Sequence, residues 1–194
     1  EVSEFMIRIN AHRFSLPSMD FQRKIFERSG LGEETYLPAA LFKDPTPNPS
    51  VSDPQPNPSR TPTLTPIMSP TASFADAREE AEDVLFGSVG ELLLKTNVKP
   101  QDISIVVTNC SLHCPTPSYA SMIVTRFKLG EDVKAFHLAG MGCSASLIAC
   151  KLASDLLRAR RVSGARGPGY ALVVSTENIT LNYYFGNEKP MLVT

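Results

Sequence analysis

The sequence has 194 residues, of which 42% are hydrophobic and 20% are charged, and its formal net charge is −1. A chain of this length and composition can bury the core of one globular domain. Its near-neutral charge and the lack of a basic run argue against a nucleic-acid partner. No apolar stretch approaches the roughly 18 to 20 residues that span a bilayer, so no transmembrane segment is predicted and the chain is expected to be soluble. The chain begins at Glu1 without a recognisable signal peptide, and we expect it to be a piece of a longer protein.

The first 73 residues predict a short helix followed by a low-complexity segment. Apolar side chains recur at helical spacing in "SMDFQRKIFERS", and Gly30 follows as a stop signal. We assign residues 1–42 to an N-terminal helical segment of the domain. Residues 43–73 form a proline-rich insertion that holds nine of the 16 prolines. Because proline lacks an amide donor and the segment has few apolar side chains, we predict an exposed, extended or disordered loop.

Residues 74–194 have the pattern of an α/β domain. Apolar residues at intervals of three and four from Ala77 to Leu93 predict an amphipathic helix. Strands are predicted at "DISIVVTN", "VKAFHLA" and "GYALVVST", and further helices after Cys143 and at "TPSYASMIVTRFKL", where Pro117 suits the first turn. Strands that alternate with helices indicate β-α-β-α-β units and a parallel sheet. The continuous apolar runs of the strands indicate a sheet that is covered on both faces.

The segment "AGMGCSASLIACKLASDLL" places Cys143 at the start of a predicted helix. The early turns of that helix carry no acid, although free amide groups and the helix dipole favour Asp or Glu there. A thiolate at such a position is stabilised by the unpaired N–H groups, so its pKa falls and it becomes a nucleophile near neutral pH. Gly140 and Gly142 allow a sharp backbone turn and a close approach of substrate. The spacing fits a nucleophile and fits equally well a small buried hydrophobic residue, which is a common role of cysteine.

The rest of this helix and the other cysteines predict a buried helix and reduced thiols, and the residues around Cys143 exclude one class of hydrolase. The first two turns after Cys143 are apolar nearly all round, so we predict a buried helix that packs between sheets. Cys143 and Cys150 would lie about 10 Å apart along the helix, too far for a disulfide, and reduced thiols are expected throughout. A hydrolase of the nucleophile-elbow type is excluded because Met141 and Ala145 stand where that motif requires glycine.

Five motifs resemble, in the same order, segments of the plant 3-ketoacyl-CoA synthases, the condensing enzymes of very-long-chain fatty acid elongation. The similarity runs from about Phe21 to Thr194 and is interrupted by the proline-rich insertion. The motifs are "FQRKIFERSGLGEETYLP", "EEAEDVLFGSVGELL", "NCSLHCPTPS", "GMGCSAS" and "VVSTENITLNYYFGN". The resemblance implies a thiolase-like α/β fold, in which two similar halves pack around buried helices, and this chain corresponds to the N-terminal half. It also implies a homodimer.

The resemblance further implies an acyltransferase. The family cysteine lies in "GMGCSAG", which maps onto Cys143, and it takes the acyl group from acyl-CoA. Malonyl-CoA then loses CO₂, and its enolate attacks the acyl-cysteine to give a 3-oxoacyl-CoA that is two carbons longer. The backbone N–H of Cys143 is expected to act as an oxyanion donor, supported by the backbone at Gly140 and Gly142. Acyl-CoA and malonyl-CoA are the expected substrates, and no cofactor or metal is expected.

The sequence departs from the family pattern at several positions. Ser146 replaces the family glycine, His113 and Cys114 stand where the family commonly has an aromatic residue and asparagine, and the proline-rich insertion is longer than the usual loop. The family's catalytic histidine and asparagine belong to the second half of the fold, and this chain is expected to stop before that half. The family also has two N-terminal membrane helices, which anchor it at the cytosolic face of the endoplasmic reticulum. These helices are expected to lie outside this chain, so membrane contact is expected only through segments absent here.

Three other groups of residues carry less specific signals. His113 lies in a loop after a strand, where α/β sites assemble, but a role as a base is not favoured; His137, in mid-strand, is predicted to be a core or edge residue. A zinc site at "CSLHC", residues 110–114, lacks a fourth ligand at plausible spacing. The N-x-T sequence at Asn178 is expected to stay unglycosylated on a reduced, cytosol-facing domain. Glu177 and Asn178 are predicted to have a structural role or to lie at a dimer contact.

Two functional hypotheses follow from the sequence. The first is an acyltransferase fragment, the N-terminal half of a 3-ketoacyl-CoA synthase with Cys143 as the acyl acceptor. The second is a non-catalytic, truncated homologue that only dimerises with an intact relative, through its "STENIT" region. A gene that continues in frame with a histidine and an "N-x-x-P-x-G"-like tail would favour the enzyme.

Overall fold

The structure is a computed structural model that describes residues 15–32, 73–165, 167 and 169–182. The chain divides into two compact units, one of residues 1–74 with 180–194 and the other of residues 75–179. Residues 43–72 of the proline-rich insertion lie outside the described residues, so the exposed loop stays a prediction.

The described part of the first unit contains one α-helix, α1, at Leu16–Ser29. The N-cap is Ser15, whose hydroxyl accepts from the Ser18 N–H at 3.4 Å. The C-cap is Gly30 in the left-handed region, at φ 76°. The predicted helix and its glycine stop are therefore confirmed, with the start two residues earlier than expected. A short 3-10 turn, Thr180–Asn182, belongs to the same unit.

The second unit is an α/β structure that holds all but the first residue of helix α2 and every later element up to β3. In chain order the elements are α2 (Phe74–Thr96), a 3-10 turn (Pro100–Asp102), β1 (Ile103–Asn109), α3 (Tyr119–Phe127), β2 (Lys134–Leu138), a 3-10 turn (Gly142–Ser144), α4 (Ala145–Val162) and β3 (Tyr170–Ser175). The three strands are parallel and lie in the order β2-β1-β3. The predicted order of strands and helices and the parallel sheet are confirmed.

Helices cover both faces of this sheet, as predicted. On one face, α2 and α3 contribute large side chains, Leu85, Val89, Met122 and Ile123, which pack against Val106 of β1 and Leu172 of β3. On the other face, α4 packs its alanines Ala149 and Ala153 against Ile105 and Val107 of β1. The central strand β1 is buried along almost its whole length because it receives a helix layer from each side.

Helix α4 is less buried than the sequence predicted. Its buried residues are the alanines at 145, 149 and 153, which recur every four residues along one stripe. The side chain of Leu147 is 76% exposed and that of Ile148 is 44% exposed. The prediction of a helix buried all round was therefore wrong for the described structure, because the described residues cover α4 on the sheet side only. Among the described residues, no helix combines the length and apolarity needed to cross a bilayer.

Helix α3 begins later than its proline suggested. The N-cap is Ser118, whose hydroxyl accepts from the Ser121 N–H at 3.3 Å. Pro117 precedes this cap and follows Thr116 through a cis peptide bond. The prediction that Pro117 occupies the first helical turn was wrong, because the serine after it supplies the capping oxygen and keeps extended backbone angles.

Candidate functional site

Cys143 lies in the 3-10 turn Gly142–Ser144, which leads directly into α4. It is therefore at the amino end of the helix, as predicted, with regular α-helix beginning two residues later at Ala145. The first turn of α4 contains no acidic residue. The Cys143 side chain is exposed, so its interpretation as a small buried hydrophobic residue was wrong. The thiol is therefore accessible at the amino end of a helix, and its role as the nucleophile stays a prediction.

Two glycines shape the turn that presents Cys143. Gly140 has φ 70° and Gly142 has φ 60°, both in the left-handed region that disfavours residues with a side chain. A Cβ atom added at either position would meet nothing within 4 Å, so the requirement is conformational and not one of space. The predicted sharp turn is confirmed. The Gly142 N–H donates to Ser111 Oγ at 2.9 Å, so this amide supports the turn and is not free to act as an oxyanion donor.

The serine that replaces the family glycine has a local partner. The Ser146 hydroxyl donates to the Cys143 carbonyl oxygen at 3.1 Å. Two residues earlier, the Ser144 hydroxyl donates to the Met141 carbonyl oxygen at 2.8 Å. Both hydroxyls therefore bond back to the preceding backbone, which is a common arrangement for serine within or before a helix. The role of the Cys143 N–H as an oxyanion donor stays a prediction.

The carboxyl ends of the three strands are joined to one another next to this turn. The Cys110 N–H donates to the Leu138 carbonyl at 3.3 Å, and the Thr176 N–H donates to the Asn109 carbonyl at 3.2 Å. The Asn109 side-chain amide donates to Ser175 Oγ at 2.7 Å. Ligand sites of open parallel sheets form at this edge. The loop after β1 and the segment after β3 are consequently held at the edge that carries Cys143.

Glu177 binds the loop that follows β1. Its carboxylate accepts from the Cys110 thiol at 3.0 Å, from the Leu112 N–H at 2.8 Å and from the Ser111 N–H at 3.1 Å. Burial acts to raise the pKa of Glu177, but the hydrogen bonds from Cys110, Leu112 and Ser111 outweigh it and hold the pKa below its usual value. The predicted structural role of Glu177 is thereby confirmed, and a dimer contact stays a prediction.

Asn178 also has a structural role. Its side chain is buried, and its amide nitrogen donates to the Ala77 carbonyl at 2.8 Å, which ties the segment after β3 to α2. The amide of the N-x-T sequence is therefore engaged inside the fold. This burial agrees with the expectation that Asn178 stays unmodified in the folded protein.

The two described histidines face a tyrosine, not Cys143. We define the histidine–tyrosine cluster as Thr108, His113, Tyr119 and His137. His113 is buried, and its Nδ1 lies 2.6 Å from the Tyr119 hydroxyl. His137 Nδ1 lies 2.8 Å from Thr108 Oγ1, and its ring meets Tyr119 edge-on at 5.6 Å between ring centres. His137 is thus a half-buried residue of the strand at one side of the described sheet, as predicted.

The histidine–tyrosine cluster is uncharged at neutral pH. Burial lowers the pKa of His113 and that of His137, and burial is also the main cause that raises the pKa of Tyr119. His137 Nε2 is buried and has no hydrogen-bond partner among the described residues, which further disfavours the doubly protonated ring. None of the hydrogen bonds in the described part of the chain links either histidine to Cys143. The geometry therefore offers no support for His113 as a base.

The other three cysteines differ from Cys143 in their surroundings. The Cys110 thiol is buried and bonded to Glu177, and burial together with that bond raises its pKa. The Cys114 thiol donates to the Cys110 carbonyl at 3.1 Å, and its pKa is raised by burial and by the nearby charge of Glu177. Cys150 is exposed within α4. All four cysteines are free in the structure, and their reduced state in the protein stays a prediction. Within the described residues, no group of His, Cys, Asp and Glu has the arrangement of a metal site.

The sequence reasoning gave Glu177 a structural role but missed Ser111 and the contact between the two residues. Each follows the end of a strand by two positions, and the rule that parallel strands end at one edge could have placed both at the edge that carries Cys143. The contact of Tyr119 with His113 and His137 has no such signal, because it depends on the path of the loop between β1 and α3.

The described elements form an α/β structure with a parallel sheet, the arrangement expected for part of a thiolase-like fold. The crystal structure of CsyB complexed with CoA-SH matches it with a TM-score of 0.51 at 22% identity, over 56% of this chain and 30% of that chain. At this identity the similarity establishes the fold alone. The predicted fold class is confirmed.

The sequence comparisons establish the family. The family described as FAE1/Type III polyketide synthase-like protein matches residues 2–57 and 56–194, and the chain belongs to it. 3-Ketoacyl-CoA synthase 4 and 3-ketoacyl-CoA synthase 17 of Arabidopsis thaliana are each 47% identical over 180 residues, or 93% of this chain. The chain spans 29% and 31% of their respective lengths. The resemblance to 3-ketoacyl-CoA synthases is therefore confirmed over nearly the whole chain.

Proposed function

We propose that this chain is the nucleophile-bearing part of a 3-ketoacyl-CoA synthase, with Cys143 as the acyl acceptor. One observation carries the proposal: an exposed cysteine at the amino end of α4, in a chain that is 47% identical to proteins of that name. The thiol is reachable by a substrate, and the glycine turn before it leaves open space around the backbone. The proposed substrates are a long-chain acyl-CoA and malonyl-CoA.

The proposed reaction has two stages. In the first, the Cys143 thiolate attacks the thioester carbonyl of acyl-CoA, CoA leaves as its thiol after taking up a proton, and an acyl-cysteine forms. In the second, malonyl-CoA loses CO₂ and leaves the enolate of acetyl-CoA. The enolate carbon attacks the acyl carbonyl, the carbon–sulfur bond to Cys143 breaks, and 3-oxoacyl-CoA is released. The electron pair returns to the cysteine, so no redox cofactor is needed.

The second stage requires donors that stabilise the enolate. We propose that these are the histidine and asparagine of the family's second half, since the described histidines are committed to Tyr119 and Thr108. We also propose that the whole protein acts as a dimer at the endoplasmic reticulum membrane, with its site facing the cytosol. Loss of one preorganised donor costs roughly 10²- to 10³-fold in rate, so this chain alone is expected to stop at the acyl-cysteine.

Intact-mass measurement of the 194-residue chain tests the proposal. After incubation with a long-chain acyl-CoA we expect one acyl adduct, located at Cys143 by peptide mapping, and no 3-oxoacyl-CoA when malonyl-CoA is added. Cys143→Ala should abolish the adduct. Cys150→Ala is the matched control, because it removes another exposed thiol, within α4, and it should leave the adduct in place.

The alternative, a non-catalytic homologue that only dimerises, predicts a different result. Because this chain covers only 29% and 31% of the lengths of these relatives, the two hypotheses require an experiment that distinguishes them. It predicts that iodoacetamide alkylates Cys143 while acyl-CoA leaves it unmodified. An adduct that persists in Cys143→Ala would contradict the proposed role of this residue.

A further inference from the structure

Glu177 holds the backbone of the loop after β1 more firmly than an ordinary exposed glutamate would. Its two oxygens accept from two consecutive backbone amides and one thiol, and the Ser111 N–H lies 3.1 Å from both oxygens. Hydrogen bonds to a charged carboxylate are about twice as strong as neutral ones. The residue before it, Thr176, is itself bonded through its N–H to the Asn109 carbonyl at 3.2 Å. The carboxylate is therefore fixed relative to the end of β1.

Ser111 connects this carboxylate to the cysteine turn. Its backbone N–H is bound by Glu177, while its hydroxyl oxygen accepts from the Gly142 N–H at 2.9 Å. Gly142 immediately precedes Cys143 and has φ 60°, a conformation that glycine can also leave easily. A single hydrogen bond at this residue thus helps to fix the direction in which the cysteine backbone enters α4.

We propose that Glu177 is a positioning residue for Cys143 and acts through Ser111. The carboxylate fixes the Ser111 backbone, and the Ser111 hydroxyl holds the Gly142 amide one residue before the nucleophile. The proposal rests on the proposed function, because it assigns both residues to acyl transfer at Cys143. Neither residue takes part in a bond-making step.

Acylation rates of four variants test the proposal in the full 194-residue chain. Ser111→Ala removes the acceptor for the Gly142 N–H, and Glu177→Gln removes the charge that holds Ser111. Each should slow acyl transfer from acyl-CoA by about 10- to 100-fold, since small displacements of reacting groups have effects of this size. Ser111→Thr keeps a hydroxyl and should react within about threefold of the natural chain. Ser104→Ala is the matched control, because it likewise removes one serine hydroxyl that bonds the backbone of a distant segment, at the opposite end of β1, and it should not slow the reaction.

Two further measurements separate positioning from loss of structure. Hydrogen exchange of the Gly142 amide should become at least about tenfold faster in Ser111→Ala and Glu177→Gln, while amides inside β1 stay protected. Alkylation of Cys143 by iodoacetamide should stay within about threefold, because the thiol remains exposed.

The possible failures are distinguishable. If the natural chain is acylated and Ser111→Ala reacts equally fast, or if Ser111→Thr is as slow as Ser111→Ala, the positioning role is wrong and the proposed function stands. Unchanged exchange of the Gly142 amide in both slow variants would also contradict the positioning role. If the natural chain is not acylated while iodoacetamide reaches Cys143, the proposed function fails and the positioning role fails with it.

Discussion

The two faces of the sheet are packed by different means. The face under α2 and α3 is filled by large side chains, among them Leu85, Val89 and Ile123, all nearly inaccessible to solvent. On the face under α4 the fully buried helix residues are small, since Ala149 and Ala153 meet the valine and isoleucine of β1, and partly buried leucines of α4 pack beside them. The alanine stripe lets the α4 backbone lie close to the strands, whereas α2 and α3 are separated from the sheet by their own side chains.

This difference separates a face that supplies stability from one that positions a site. Burial of large aliphatic side chains contributes about 1.5 to 3 kcal/mol for each residue, so the α2 and α3 face carries most of the hydrophobic free energy of the described domain. The α4 face buries less apolar surface, but it fixes the helix whose amino end carries Cys143. Substitutions on the first face should affect stability most, and those on the second should affect the site as well.

The largest effect is expected on the α2 face. Leu85→Ala should lower the free energy of unfolding by about 2 to 5 kcal/mol, because it removes a fully buried side chain from a packed core. Leu94→Ala, at a residue of the same helix that is 84% exposed, should change stability by less than about 0.5 kcal/mol. Urea denaturation measures both. Equal losses in the two variants would show that α2 does not pack as described.

The alanine stripe gives the next largest effect. Ala149→Leu should destabilise the protein by about 1 to 3 kcal/mol, because the larger side chain cannot fit between α4 and β1 without displacing the helix. Leu147→Ala, two positions away on the exposed side of the helix, should be nearly neutral. Thermal unfolding measures the pair. A neutral Ala149→Leu would mean that α4 is loosely packed on the sheet.

Glycine-to-alanine substitutions should have opposite effects on stability in the cysteine turn and in α2. Gly142→Ala should cost about 1 to 2 kcal/mol, because φ 60° is unfavourable for alanine although no neighbour would clash with its Cβ. Gly87→Ala, within α2 and also free of close neighbours, should instead stabilise the protein by about 0.5 to 1 kcal/mol. Opposite signs in denaturant titrations would confirm that Gly142 is required for its backbone conformation.

The smallest effect concerns pH and the histidine–tyrosine cluster. Burial lowers the pKa of His113 and of His137 in the folded protein, so below the unfolded value of about 6.5 the unfolded chain binds protons more readily than the folded one. The contribution of these two histidines to stability should be fully present above that pH and should decline as the pH falls below it, by at most about 1.4 kcal/mol per pH unit for each histidine.

A pair of variants isolates this pH dependence. The double variant His113→Gln with His137→Gln should flatten the decline between pH 7 and pH 5. Tyr119→Phe should lower stability at every pH, because it leaves His113 Nδ1 without the Tyr119 hydroxyl, and the decline should persist since both histidines remain. Thermal midpoints measured in a series of buffers give both slopes. An unchanged decline in the double variant would assign the effect to other groups.

Much of the fold and the central residue of the site followed from the sequence alone. Hydrophobic periodicity, β-branched runs and the glycine stop after α1 depend on local chemistry, so the helices and strands were placed within a few residues. The position of Cys143 at the amino end of a helix followed in the same way from the two glycines before it and the absence of early acids. The family motifs are equally local, and the comparisons confirmed them.

Only the tertiary structure decided what surrounds those elements. Helix α4 looked uniformly buried because its composition is apolar, but burial depends on which elements lie on each side of a helix, and the described residues provide the sheet on one side. Pro117 looked like a helix start because the sequence does not show that the Ser118 hydroxyl caps the next turn. The hydrogen bonds that Ser111 donates to Glu177 and accepts from Gly142 join residues 66 and 31 positions apart. Such contacts arise only when parallel strands bring their carboxyl ends together, so no local pattern could have specified them.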